Sequence, residues 1–262
     1  MDIVKYTIFN RYPEIIHFTT TRNGGVSKGN YASCNLSPFT GDESESVCEN
    51  MNRLCSLFGI GPSQLIFPYQ THGNEVREIN SGFFELSPHK QSEFLQGIDA
   101  LVTSATNVCI GVTTADCVPV LFYDPVRKVI AVAHAGWRGT CSRIVEKTIG
   151  ILTQCYGTLP SDLVVAFGPS ISMKMYEVGT EVIESFESAG FDIALISVKH
   201  EDSFYLDLWE ANRLLLLSAG VLPQRIEISG FCTFTESERF FSARKLGIKS
   251  GRMFSGILIR KE

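Results

Sequence analysis

The amino-acid sequence predicts an α+β fold with mixed β-sheets. Short apolar runs rich in β-branched residues recur along the chain, and segments with helical spacing are fewer. The runs between residues 99 and 135 follow one another with turns that are too short for a crossover helix. Because consecutive parallel strands need such crossovers, this region is not a βαβ array, and the fold is not of the α/β class.

Nine runs are interpreted as strands. Several of them have no alternation of apolar and polar residues, which predicts burial on both faces. They cover residues 17–21, 64–70, 99–104, 108–114, 118–124, 128–135, 162–168, 225–230 and 253–259. No internal repeat, low-complexity tract or Pro/Ser-rich linker separates them, and the length alone allows one large domain or two modest ones.

Four segments place apolar residues at helical spacing, and each ends at a glycine, which is common at helix C-termini. They cover residues 45–59, 140–157, 179–190 and 207–220. Thr140 or Ser142 is the expected N-cap of the second segment. Residues 80–98 are polar and irregular, so we expect a surface loop there.

Composition excludes several classes of protein. The 262 residues are 44% hydrophobic and carry a net charge of −5, which argues against a nucleic-acid partner. The densest basic stretch, 239–261, is interpreted as a solvated face. No hydrophobic region of a signal peptide is found at the start, and the longest aliphatic run is only residues 214–217, so we expect no membrane partner and a cytoplasmic location. The oligomeric state is left open.

Three residues have the side chains of a metal site. His72 follows an apolar strand, Cys117 lies at a strand end, and His134 ends the next strand. One thiolate and two imidazoles suit Zn²⁺ and leave a fourth position open for water. Two other interpretations fit the same spacing: a buried structural cysteine with hydrogen-bonded histidines, or a metal-free Cys–His nucleophile pair.

The other seven cysteines have no metal-site spacing. None of the eight forms a CxxC pair, so we expect reduced thiols, most of them small buried hydrophobes, and no catalytic role for the seven.

Further polar residues are candidates for supporting roles. Asp116 could orient a metal-bound histidine, or could cap a strand end. Arg22 and Asn35 are candidate substrate-binding residues in the glycine-rich stretch 20–37, which lacks the spacing of a phosphate-binding loop. Trp137 and Arg138 follow His134 on what we expect to be a glycine-flanked loop. Each has an ordinary alternative, namely core packing for the indole and a surface ion pair for the guanidinium.

Seven motifs in order resemble one known family. They are "TTRNGGVSKGNYASCNL", "QTHGNEV", "DALVT", "TTADCVPVLFYD", "AVAHAGWRGT", "GPSIS" followed by "YEVG", and "FFSARK" followed by "GRMFSGI". The chain resembles the YfiH-type multifunctional purine nucleoside phosphorylases, formerly labelled polyphenol oxidases or laccase-domain proteins. The resemblance extends from about residue 17 to residue 259, and "TADC" with "HAGWRGT" is its most specific part.

The resemblance implies a single catalytic domain, 1–262, of two mixed β-sheets packed together and flanked by helices, related in fold to a bacterial toxin deamidase. It implies zinc held by His72, Cys117 and His134. It also implies phosphorolysis of adenosine, inosine and methylthioadenosine, and hydrolytic deamination of adenosine, with purine nucleosides and phosphate as small-molecule partners.

Two departures from the family pattern are visible. Lys174 and Met175 stand where many members carry two adjacent cysteines, so those thiols cannot be required here. Ala243 stands where a tyrosine is expected, which puts an aromatic contact near Arg244 in doubt.

Each implied reaction places a demand on the chain. Deamination needs an activated water at C6 of adenine, but no H-x-E or PCxxC signature identifies a proton shuttle. Phosphorolysis needs donors for phosphate, and Arg22, Arg138 and Arg244 are the candidates.

Three other functions remain open. The ligand set would also accept copper in a phenol oxidase, although laccase chemistry needs several coppers and the chain has five histidines. A metal-free Cys–His deamidase and a metal carrier without turnover are the other two alternatives.

Overall fold

The computed structural model describes residues 1–261. The strands are β1 Ile3–Val4, β2 Ile15–Thr20, β3 Leu65–Ile66, β4 Val76–Glu78, β5 Ala100–Thr103, β6 Cys109–Thr114, β7 Val118–Asp124, β8 Val129–Ala135, β9 Val164–Phe167, β10 Glu177–Val178, β11 Ser197–His200, β12 Ser203–Leu206, β13 Ile226–Ile228 and β14 Met253–Ile259. The helices are α1 Ser44–Phe58, α2 Ser81–Glu85, α3 Pro88–Phe94, α4 Trp137–Cys141, α5 Ile144–Tyr156, α6 Thr180–Ser188, α7 Ile193–Ile196, α8 Leu208–Ser218 and α9 Ala243–Leu246.

Two mixed sheets form the centre, which confirms the predicted fold class. The five-stranded sheet has the order β1-β2-β14-β6-β3, and only β3 pairs parallel in it. The six-stranded sheet has the order β13-β9-β7-β8-β5-β4, in which the two edge strands pair parallel and the others antiparallel. A third sheet, β10-β12-β11, is small and was not predicted.

The central strands are buried on both faces because each face packs on a different layer. In β7, Leu121 and Tyr123 belong to the core between the two large sheets. Val120 and Phe122 point the other way, into the core beneath α5 and α8. Successive side chains of a strand alternate between faces, so an uninterrupted apolar run is what a strand between two apolar layers requires.

Helices cover the outer face of each large sheet. Leu54 and Cys55 of α1 pack with Phe18 and Phe254 of the five-stranded sheet. The helix ends at Gly59, which has the left-handed conformation that a glycine adopts readily. The order of layers is therefore helix, sheet, sheet and helices.

The prediction of a surface loop over residues 80–98 is wrong. Two short helices, α2 and α3, occupy most of it. Asn80 caps α2 by accepting the amide hydrogen of Gly82, and Phe83 is buried. Pro88 begins α3. The apolar spacing within each helix is too short to be recognised as periodic.

The prediction of a single helix over residues 140–157 is also wrong at its N-terminal end, where the structure has two helices. Arg143 has a φ of +62° and separates α4 from α5. Trp137 and Arg138 therefore lie in the first turn of a helix, not on a loop. Strand 64–70 is shorter than predicted, because only residues 65–66 pair in a sheet.

None of the helices within residues 1–261 is both long and apolar enough to cross a membrane.

Candidate active site

The fold brings His72, Cys117 and His134 together. Their ligand atoms all lie within 4.8 Å of one another, and the two imidazole rings meet edge to face with centroids 4.7 Å apart. β7 and β8 pair antiparallel with Val118 opposite Ala135, so Cys117 lies at the same end of the sheet as His134. His72 comes from the segment after β3 and is the exposed member of the group.

Asp99 holds both histidines, and sequence reasoning missed it. Its carboxylate Oδ1 lies 2.8 Å from Nδ1 of His134 and 3.0 Å from the backbone nitrogen of His72. Oδ2 accepts the backbone N–H groups of Thr71 and Gly73 at 3.2 and 2.8 Å. One fully buried carboxylate thus orients the ring of His134 and the backbone that carries His72.

The protonation equilibria of these groups are coupled. Burial by itself raises the pKa of Cys117, but the imidazoles of His134 and His72 outweigh it and lower the pKa to about 6. Burial by itself lowers the pKa of His134, whereas the Cys117 thiolate and the Asp99 carboxylate raise it to about 9. The thiol is therefore held in the deprotonated form that a metal or a nucleophilic reaction requires.

Asp116 does not have the role expected of it. Its carboxylate accepts the Thr233 hydroxyl at 2.6 Å and the backbone N–H of Arg244 at 2.7 Å. It contacts neither histidine through these bonds. Asp116 instead joins the loop before β7 to two distant segments, and Asp99 is the carboxylate that orients an imidazole.

Two glycines let the chain pass close to the three residues. A Cβ atom on Gly136 would lie 2.9 Å from Sγ of Cys117 and 3.3 Å from the ring of His72. A Cβ atom on Gly139 would lie 2.9 Å from the carbonyl oxygen of Gly73. The turn from β8 into α4 therefore requires glycine at 136, and the close approach of α4 to residue 73 requires glycine at 139.

A cavity of about 590 Å³ opens over the three residues. Its wall includes Gln70, Trp137, Tyr176, Arg244 and Arg252. Burial is the main reason why the pKa of Tyr176 is raised, so its hydroxyl stays protonated and can donate a hydrogen bond. Sequence reasoning missed Tyr176 as a site residue, although it opens the quoted "YEVG" motif.

A second cavity of about 570 Å³ adjoins the first, and Trp137, Tyr176 and Arg244 line both. Arg138 lines only the second; its guanidinium carbon lies 4.3 Å from the centre of the Trp137 ring. The guanidinium of Arg244 lies over Tyr176 at 5.3 Å and donates to the carbonyl of Glu177. No ion pair of the described residues includes Arg138, so the alternative interpretation of Arg138 as a partner in a surface ion pair is not met within them.

Arg22 and Asn35 do not line either cavity. The guanidinium of Arg22 donates to the carbonyl oxygens of Ala32 and Ser237 and lies over the ring of Phe241. The side chain of Asn35 is fully buried and accepts the backbone N–H of Arg252. Both residues hold loops in place, and the substrate contacts expected of them are not supported by their positions.

The donor set fits a zinc ion. One deprotonated thiol and two imidazoles are ligands that Zn²⁺ accepts, and three protein ligands are typical of catalytic zinc sites. The bond from Nδ1 of His134 to Asp99 leaves Nε2 for the metal and fixes the tautomer. Among residues 1–261, these three are the one group of at least three His, Cys, Asp or Glu side chains placed to hold an ion.

Comparisons with known proteins point to one family. A family model described as multi-copper polyphenol oxidoreductase laccase matches residues 16–260. A purine nucleoside phosphorylase from Bacteroides thetaiotaomicron is 45% identical over 258 residues, which are 98% of this chain and 96% of that protein. Adenosine deaminase RL5, from an unknown prokaryotic organism, is 39% identical over 242 residues, 92% of each protein. The crystal structure of YlmD from Geobacillus stearothermophilus has a TM-score of 0.89 at 31% identity and covers 96% of this chain and 94% of that one.

We predict that Asp99→Asn weakens zinc binding by about 10- to 100-fold, because the neutral amide no longer fixes the charge and tautomer of His134. The affinity is measured by competition with a chromophoric chelator, and circular dichroism checks the fold. Asp116→Asn is the matched control, since Asp116 is also a buried carboxylate near the site but bonds to neither histidine. Equal losses in the two variants would contradict the role given to Asp99.

Proposed function

Because the chain belongs to the family described as multi-copper polyphenol oxidoreductase laccase, whose curated relatives include purine nucleoside phosphorylases and an adenosine deaminase, we propose that it is a zinc-dependent purine nucleoside enzyme. The proposed reactions are phosphorolysis of adenosine, inosine and methylthioadenosine, and hydrolytic deamination of adenosine. The whole chain is proposed to act as one catalytic unit. The observation that carries the proposal is the convergence of His72, Cys117 and His134 in a cavity that adjoins two guanidinium groups.

In deamination, water replaces the amino group at C6 of adenine, and inosine and ammonia are the products. Zinc, when bound, supplies a Lewis acid that makes water a nucleophile near neutral pH. The chain's own contribution is to hold the three ligands: Asp99 accepts the Nδ1 proton of His134, and the imidazoles keep Cys117 deprotonated. Trp137 and Tyr176 are large side chains in the wall that limit the water at the reacting edge of the base.

In phosphorolysis, the bond between N9 and C1′ breaks and a phosphate oxygen bonds to C1′, which releases the base and ribose 1-phosphate. The anion requires fixed cationic donors. Arg138 and Arg244 remain the candidates, since Arg22 points elsewhere. Tyr176 lines both cavities, and its hydroxyl can donate a hydrogen bond to the phosphate or to the sugar.

The second candidate function is a copper-dependent phenol oxidase, which the family description favours. The positions of the other histidines favour the nucleoside reactions. His17 is buried in contact with Tyr6 and Phe9, while His89 and His200 lie in α3 and β11. They supply no further ligands to the site, and oxidation of phenols by laccases uses several coppers.

The reaction is tested by incubating the pure protein with adenosine, with and without phosphate, and separating the products by chromatography. We expect inosine alone without phosphate, and free purine base with ribose 1-phosphate when phosphate is present. Turnover of neither kind would contradict the proposal. Oxidation of a phenol by the copper-loaded protein, without nucleoside turnover, would favour the second function.

We predict about one zinc ion per chain in the purified protein, and loss of it in His72→Ala, Cys117→Ala and His134→Ala. Because the ligands are held by a preformed sheet, the fold should survive while activity falls by orders of magnitude. Metal content is measured by mass spectrometry. Cys141→Ala is the matched control, since Cys141 is also half-buried but bonds only to the carbonyl of Ser185. A Cys117→Ala protein that keeps stoichiometric zinc would overturn this ligand set.

We predict that Arg138→Ala slows phosphorolysis of inosine about tenfold to a hundredfold and slows deamination of adenosine less, because only phosphorolysis needs the anion. Arg138→Lys should recover little, since an ammonium does not reproduce the guanidinium fork. Both rates are measured as kcat/KM. Arg77→Ala is the matched control, because Arg77 also lies over an aromatic ring, that of Phe94, but outside both cavities. Equal losses in both reactions would assign Arg138 to the nucleoside or to the fold.

A further inference from the structure

One guanidinium in the wall of the first cavity, which opens over the three ligands, takes no part in the reactions proposed above. Arg252 lines this cavity of about 590 Å³ and is half-buried, whereas Arg138 and Arg244 are exposed. Burial lowers the pKa of Arg252 below its usual value, although the negative groups Cys117 and Asp116 act in the opposite direction. Because a guanidinium stays protonated in proteins, the wall carries a positive charge that is partly removed from water.

This charge has no carboxylate partner among residues 1–261. No ion pair of that part of the chain includes Arg252. Asp116 is the one carboxylate of these residues that lines the cavity, and its oxygens already accept the Thr233 hydroxyl and the backbone N–H of Arg244. A partly buried charge without a counter-ion is unfavourable, so an anionic ligand beside Arg252 would be stabilised.

The loop that precedes β14 holds this guanidinium in place. Nη1 of Arg252 donates to the carbonyl oxygens of Ser250 and Gly251 at 2.6 and 3.0 Å. Nη2 donates to the carbonyl oxygen of Ile248 at 3.2 Å. The buried side chain of Asn35 accepts the backbone N–H of Arg252 at 2.9 Å. A donor that is fixed in this way loses little freedom when it binds a ligand.

These bonds leave one edge of the guanidinium free. The Nε–H of Arg252 has no acceptor among the described residues, and Nη2 uses one of its two hydrogens. Nε and Nη2 lie on the same edge of a guanidinium, and this edge can donate two parallel hydrogen bonds to two oxygens of one anion. Carboxylates and phosphates are the anions that fit this arrangement.

A second donor lies near Arg252 at the start of β14. Thr114 also lines the first cavity and is 1% exposed, and its hydroxyl has no hydrogen-bond partner within residues 1–261. β6 and β14 pair antiparallel with Thr114 opposite Met253, which directly follows Arg252. A buried hydroxyl without a partner is unfavourable, and an oxygen of the same anion would satisfy it.

We propose that Arg252 and Thr114 form a subsite for one phosphate group in the first cavity, separate from the guanidinium of Arg138 in the second. The group is either inorganic phosphate or the ester of a nucleoside monophosphate, a ligand class that the proposed function does not include. A phosphate offers two oxygens to the guanidinium edge and a third to the hydroxyl, whereas a carboxylate has only two. The subsite follows from its donors alone, and the choice of phosphate rests on the proposed function.

Inorganic phosphate tests the subsite in a protein whose second cavity has lost a guanidinium. Its dissociation constant is measured by calorimetry in Arg138→Ala, alone and combined with Arg252→Gln. We expect phosphate to bind Arg138→Ala, and the added Arg252→Gln to weaken this binding about 10- to 100-fold, since a hydrogen bond to a charged group is lost. Thr114→Val leaves the loop bonds of Arg252 intact and should weaken the binding about two- to tenfold.

Adenosine 5′-monophosphate distinguishes the two sources of the phosphate group. If its ester reaches the subsite, it binds more tightly than adenosine, and Arg252→Gln removes the difference. If only free phosphate is taken, the nucleotide binds no better than adenosine, while the dependence of inorganic phosphate on Arg252 remains. Arg225→Gln is the matched control and should change none of these affinities, since Arg225 is also half-buried and donates to a carbonyl oxygen, that of Asp162, but lines neither cavity.

Two results would overturn the subsite. One is an affinity for phosphate and for the nucleotide that Arg252→Gln leaves unchanged, and the other is loss of all phosphate binding in Arg138→Ala alone. Circular dichroism checks the fold, and Thr114→Val decides if Arg252→Gln does not fold. Phosphate binding that depends on Arg252, in a protein that turns over no nucleoside, would instead overturn the proposed function and leave the subsite standing.

Discussion

The buried carboxylate of Asp99 is the constraint on which the candidate site depends. A buried charge is stable only if hydrogen bonds replace its water, and Asp99 receives them from three consecutive backbone N–H groups of residues 71–73 and from His134. These bonds outweigh the effect of burial, which would raise the pKa of Asp99, and they hold it below its usual range. The same contacts that stabilise the charge therefore fix one imidazole and the backbone of the other, so that the ligands are arranged before any metal binds.

Much of the fold can be predicted from the sequence because its central strands lie between two apolar layers. Strands 118–124 and 253–259 have the predicted bounds, since a run that is mostly apolar and does not alternate with polar residues is stable only where both faces are covered. The elements that were missed are those whose pattern is too short. Residues 80–98 form helices of five and seven residues, and β10 is a pair of residues held by β12. Their structure comes from caps and from distant partners, which local periodicity does not record.

The candidate site also contains residues that the sequence predicts and residues that it does not. His72, Cys117 and His134 are recognisable because each lies at or beside the end of an apolar run of the sequence, although the strand before His72 already ends at Ile66. Asp99 also begins an apolar run. The sequence analysis gave the role of orienting a histidine to Asp116 instead, because Asp116 is adjacent to Cys117. The pairing of β5 with β8 decides which carboxylate reaches the histidine: it places the carbonyl oxygen of Asp99 2.7 Å from the backbone nitrogen of His134. This register depends on residues that are distant in the sequence. The same is true of the hydrogen bonds from Arg22 to the carbonyl oxygens of two loops.

The turn after His134 explains how one strand end serves two cavities. Residue 136 must be glycine, because a Cβ atom on it would lie only 2.9 Å from the sulfur of Cys117. The helix that begins there directs Trp137 into the wall shared by the cavities and Arg138 into the second cavity alone. A loop would leave the indole and the guanidinium free to move, whereas the first turn of α4 fixes both relative to the ligand two residues before Gly136. The tight turn thus places Trp137 in the wall that the two cavities share and Arg138 in the second cavity alone.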